Sequence, residues 1–138
     1  MANPNSQTST GLQNLSANQA LRLLAKLKAV DLATAQDNAM QIIDASRWSI
    51  KDVVIANASV ACTTAAAAIL TLPASAGTAL LTATTLTLLT ASTVVLDYAP
   101  TTTATQTAQT IYFRVTTGFT SAATADVFLY GYDFDHNV

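Results

Sequence analysis

The sequence predicts a mainly β protein: an antiparallel β-sandwich, jelly-roll-like, of about eight strands, with an N-terminal arm and one short α-helix. Three features lead there. The last third of the chain holds two runs, "TIYFRVTT" and "DVFLYGYDF", in which side chains alternate with period two. The centre is built on threonine, which suits a strand better than a helix. After Val30 no stretch keeps the spacing of a helical face, while turn residues recur between short β-branched and aromatic segments.

The opening residues, Met1 to Asn14, are rich in Asn, Ser, Gln and Thr and have no periodicity, as expected of an arm that orders against a partner. They lack the basic start and apolar core of a secretory signal. In "LSANQALRLLAKLKAV", Ser16 and Gln19 form a capping box. Ala20, Leu23, Leu24, Leu27 and Val30 then fall on one helical face, opposite Arg22 and Lys26. This spacing predicts a helix over Ala17 to Lys28. Residues 1–36 are therefore read as arm and helix, and residues 37–138 as the sandwich domain.

Asp, Asn and Ser next punctuate two runs, "MQII" and "WSIKDVVIA". Simple alternation in the second puts Trp48, Ile50 and Asp52 on one side of the pleat and Ser49, Lys51 and Val53 on the other. The run then becomes apolar on both faces, as in a strand covered from both sides.

The stretch "TALLTATTLTLLTASTVVL", Thr78 to Leu96, has no charge, proline or glycine. As a helix, Thr78 to Thr90 would carry six threonines. At about 0.6 kcal/mol each relative to alanine, that is a penalty of about 3 to 4 kcal/mol. As strand, "TLTLL" sets Leu86 and Leu88 against Thr85 and Thr87, and "STVVLDY" sets Val94, Leu96 and Tyr98 against Val95 and Asp97. A membrane hairpin split at "PASAG" would bury Asn57, Ser59, Thr63 and Thr64 in one span and seven threonines in the other, so no membrane partner is expected. In the final runs, Ile111, Phe113 and Val115 point inward, with Tyr112, Arg114 and Thr116 outward. Phe128, Tyr130, Tyr132 and Phe134 share one side, and Val127 and Leu129 the other.

Composition excludes several functions. The net charge of -2 and pI near 4.9 give no basic footprint for nucleic acid. The single histidine, His136, leaves no home for a nucleophilic triad, and no glycine-rich phosphate loop occurs. "DFDHNV" offers Asp133, Asp135 and His136 but no further ligand, so neither metal nor cofactor is expected, and the chain is not read as an enzyme. Cys62, the one cysteine, reads as a small buried side chain. The glycosylation patterns at Asn14 and Asn57 read as chance.

Only 10% of residues are charged, against a usual figure of about a quarter, and there is no glutamate. From Val53 to Phe113 Asp97 is the only charge. Exposed charge keeps monomers apart, so a threonine- and alanine-rich body with almost none is expected to be covered by neighbours. Small uncharged residues let surfaces meet without desolvating ions. The row Phe128, Tyr130, Tyr132 and Phe134 is the candidate oligomer interface.

The runs "AMQIIDASRWSIKDVVIANASVACTTAAAAI", "AGTALL", "IYFRVTTGF" and "ATADVFLYGYDF", spanning roughly Ala39 to Phe134, resemble a widespread set of small proteins encoded among tailed-bacteriophage structural genes. The resemblance implies a virion component. It departs from the pattern at "AAAAI", where glycines are expected. Within a virion the arm, helix and sandwich suit a capsid decoration, or cement, protein on the capsid surface. Leu15, Arg22, Lys26 and Lys28 would then meet the major capsid protein, and the sandwich would form a homotrimer. Deleting residues 1–30 is expected to abolish particle binding and leave the sandwich folded. The alternative from another class is a fibre or spike domain that stacks host glycan on the same four aromatic residues.

Overall fold

The alternation in "TIYFRVTT" becomes strand β7 (Thr110–Thr117), with Ile111, Phe113 and Val115 fully buried and Tyr112, Arg114 and Thr116 partly exposed. The computed structural model describes residues 21–87, 89, 90 and 95–135. Among these residues there are eight strands and no helix. The other seven are β1 (Arg22–Asp31), β2 (Asp37–Gln41), β3 (Trp48–Ala56), β4 (Ala66–Leu70), β5 (Ala79–Thr85), β6 (Val95–Tyr98) and β8 (Thr124–Asp133). They form two antiparallel four-stranded sheets, β1-β8-β3-β6 and β2-β7-β4-β5. Each strand of the first half pairs with its counterpart counted back from the end: β1 with β8, β2 with β7, β3 with β6 and β4 with β5.

One apolar cluster draws on both sheets. The first supplies Leu24, Ile50, Val53, Ile55, Val127 and Leu129, the second Met40, Ala67, Ile69, Ile111, Phe113 and Val115. Trp48 is fully buried, and its indole N–H donates to the Ala108 carbonyl at 2.9 Å, so the ring enters the core without an orphaned donor.

The helix expected over Ala17 to Lys28 is not what forms. From Arg22 onward the chain is β1, paired with β8; Ala17 to Ala20 lie outside the described residues. The register of β1 shifts between Leu23 and Ala25 and again between Leu27 and Val30. An extra residue at a bulge interrupts the strict alternation. Leu24 and Ala25, neighbours in sequence, are both fully buried. Two such breaks spread Leu23, Leu24, Leu27 and Val30 at intervals that imitate a helical face. Strands on both sides of residue 36 share one core, so that position does not divide the fold.

Two further expectations change. β3 shifts register between Ile50 and Asp52, so Trp48, Ile50, Val53 and Ile55 are buried, while Lys51 is exposed and Asp52 and Val54 are partly exposed. Asp52 therefore leaves the face of Trp48 and Ile50. β5 ends at Thr85, the first residue of the expected "TLTLL" strand. Leu86 and Leu89 are buried in the turn that follows, where Leu86 N–H donates to Ala65 at 2.8 Å and Leu89 N–H to Leu86 at 2.9 Å. Leu88 and Val94 lie outside the described residues.

Open strand edges invite pairing with another chain. Here the Leu24 carbonyl on edge strand β1 accepts Ile43 N–H at 2.7 Å, and the Leu80 carbonyl on edge strand β5 accepts Thr101 N–H at 2.7 Å.

Candidate functional site

β8 runs through the interior of the first sheet between β1 and β3. Its alternation sends Val127 and Leu129 into the core and Phe128, Tyr130 and Tyr132 to the outer face, where all three stay partly exposed. Phe134 follows the strand, is also partly exposed, and donates its N–H to the Arg47 carbonyl at 2.8 Å. Of the four aromatic residues expected on one face, Phe128, Tyr130 and Tyr132 form a ridge along the middle of the sheet, and Phe134 lies beyond the strand.

Register fixes their neighbours. Phe128 stands opposite Lys26 on β1 and Val54 on β3, and Val54 stands opposite Asp97 on β6. The next row reads Leu23, Tyr130, Asp52. Tyr132 stands opposite Ser49, which is buried and donates its hydroxyl to the Thr103 carbonyl at 2.7 Å. The loop carrying Thr103 closes that end of the face.

The other end is polar. Asp126 is buried, and its carboxylate accepts Lys28 Nζ at 2.5 Å, Asn57 Nδ2 at 2.7 Å and Ala29 N–H at 2.9 Å. These three donors, Lys28 foremost, hold its pKa down at about 2. The same Lys28 ammonium lies 5.2 Å from the centre of the Phe128 ring, within cation–π range.

The residues expected to meet the capsid are placed differently from one another. Leu15 lies outside the described residues. Arg22 is partly buried and engaged within the chain, with Asp133 Oδ2 at 2.6 Å and the Ile43 carbonyl at 3.1 Å. Lys28 is paired with Asp126. Lys26 is exposed and forms no ion pair among the described residues. The structure therefore brings Lys26 and Lys28 to the aromatic face and sets Arg22 at the end of the sandwich.

Asp133 and Asp135 do not converge on a common centre. Asp133 faces inward toward Arg22. Asp135 accepts Ser46 N–H, Ser46 Oγ at 2.7 Å and Arg47 N–H at 2.9 Å. His136 lies outside the described residues, among which no group of three His, Cys, Asp or Glu side chains is placed to hold a metal. An open cleft of about 470 Å³ is lined by Asp44, Ala45, Ser46, Gln109 and Asp135. Within it the Gln109 amide donates to the Thr107 carbonyl at 3.1 Å and to the Ser46 carbonyl at 3.4 Å. Among the described residues no helix is long and apolar enough to cross a membrane.

No protein family, curated protein or solved structure matches this chain. Its candidate site therefore rests on geometry. Sequence reasoning found the aromatic row because it lies on one strand, but missed Asp52, Val54 and Asp97, which join it only through pairing. Asp97 carried one signal, as the only charge in a run of some sixty residues.

Proposed function

We propose that this chain is a structural protein of a tailed-bacteriophage particle, a capsid decoration or cement protein that acts without catalysis or cofactor and self-associates through the outer face of its first sheet. The observation that carries this reading is the ridge of Phe128, Tyr130 and Tyr132, partly exposed at the centre of that face in a chain with 10% charged residues. Aromatic side chains at the centre of a polar-rimmed surface are what a subunit interface uses.

The jelly-roll reading has its own support. Pairing β1 with β8, β2 with β7, β3 with β6 and β4 with β5 is what results when a long two-stranded ribbon folds into two sheets. That architecture recurs in viral capsid proteins and in lectins. Fold alone does not carry function, and the phage assignment draws on the sequence resemblance as well. On this reading the partners are the major capsid protein and further copies of the chain, and the protein sits on the capsid surface. A trimer is the assembly the resemblance implies.

The test is co-sedimentation of the purified full chain with phage heads assembled without it. Saturable binding at a fixed number of copies per head is expected; a folded protein that stays in the supernatant would contradict the reading. The same ridge favours one second reading, stacking of a host glycan on the exposed rings. Glycan-array binding that is lost in Tyr130→Ala, with no affinity for heads, would select it.

A further inference from the structure

The outer face of the first sheet is complementary to itself. Lys26, Phe128, Val54 and Asp97 form one cross-strand row that begins with a cation on edge strand β1 and ends with an anion on edge strand β6. Lys26 and Asp97 are both exposed, and neither forms an ion pair among the described residues. Between them the relief is uneven. β8 presents Phe128 and Tyr130, whereas β3 presents the smaller Val54 and Asp52 beside them.

Resting on the reading of this face as a subunit interface, we infer that its occupant is a second copy of the chain, related by a two-fold axis that runs parallel to the strands between β8 and β3. That rotation lays β1 of one copy over β6 of the other, and β8 over β3. Lys26 of each copy then meets Asp97 of its mate, giving two ion pairs at opposite rims. Phe128 of each seats against Val54 of the other, and Tyr130 against Asp52, whose carboxylate accepts the phenol hydroxyl. Isologous contact of this kind requires a surface to be its own complement. A three-fold ring would instead join the Lys26 edge of one copy to the Asp97 edge of the next, which leaves Phe128 and Tyr130 at the centre of the face uncovered.

The polar cluster at Asp126 and the Thr103 loop bound the face at its two ends. Strands of ten, ten, nine and four residues, about 4.8 Å apart, give a face of roughly 500 Å². A standard stable interface uses about 800 Å² per partner, so this face fits a weak, concentration-dependent association.

The experiment is sedimentation equilibrium of the full chain over a dilution series, with Lys26→Asp, Asp97→Lys and the double variant, each checked for cooperative thermal unfolding. The expected result is a dimer that each single reversal weakens about tenfold and the double reversal restores, because the swapped row is again complementary. A trimer would overturn the two-fold arrangement and leave self-association standing. A monomer at every concentration would overturn both. A dimer indifferent to the single reversals, or one that the double reversal fails to restore, would overturn the pairing of Lys26 with Asp97. Should a single variant fail to fold, recovery of the dimer in the double variant still decides the matter.

Discussion

Lys28 and Asp126 meet at 2.5 Å across strands β1 and β8, and the same ammonium lies against the Phe128 ring. Two further donors, Ala29 N–H and Asn57 Nδ2, complete the carboxylate's shell. Its pKa is lowered from the ordinary 3.8 to about 2, so the stabilisation is fully present above the unfolded value and is lost as pH falls toward the folded one. Asp37 is also lowered, by the Ala74 N–H and by Arg114, and adds to the same acid window. Urea midpoints are expected to fall steeply between about pH 4 and pH 2. Asp126→Ala should cost about 1 to 3 kcal/mol at neutral pH and flatten that acid dependence. An unchanged acid profile in the variant would contradict the assignment.

Residues 1–30 cannot be removed without cost. The deletion strips most of β1 and with it Leu24, Ala25 and Val30 from the core, and it removes Lys28 from Asp126 and Arg22 from Asp133. The truncated chain is expected to lose cooperative unfolding by circular dichroism. A sharp melt near that of the full chain would show that β1 is dispensable.

Gly131 sits where β8 crosses close to β3. A Cβ there would run into the Ser49 carbonyl oxygen and lie 2.6 Å from Leu24 Cδ1. Because the first obstacle is backbone, Gly131→Ala should destabilise by about 1 to 3 kcal/mol, measured by chemical denaturation. A neutral result would mean that the two strands separate more easily than their pairing implies.

Cys62 is fully buried, and burial pushes its thiol pKa up. The native protein is expected to resist thiol-specific reagents and to release its single thiol only in denaturant. Rapid labelling of the folded chain would place that side chain nearer the surface than the structure does.

The strands legible in the sequence were those that keep strict alternation. β7 carries Ile111, Phe113 and Val115 to the core as its alternation predicts, and β8 keeps Val127 and Leu129 on the side opposite Phe128, Tyr130 and Tyr132, but with both of its sides apolar the sequence does not tell which one faces the core. β1 was misread because two register shifts break its period, leaving leucines spaced as on a helix. Asp52 was misplaced for the same reason, by the shift beside Lys51. β4 opens with three alanines, which have no strand preference of their own and take their place through pairing with β5 and β7. The aromatic part of the candidate site lies on a single strand and could be seen in advance. The row from Lys26 to Asp97 is assembled from four strands distant in sequence and exists only once the sheet has formed.

Whether the β8 ridge is covered by another copy is tested most directly by hydroxyl-radical footprinting at rising protein concentration. Tyr112, partly exposed on the outer face of the second sheet, serves as the internal reference. Phe128 and Tyr130 are expected to become protected as concentration increases while Tyr112 keeps its reactivity. Equal reactivity of Tyr130 and Tyr112 from the most dilute to the most concentrated sample would contradict self-association through this face.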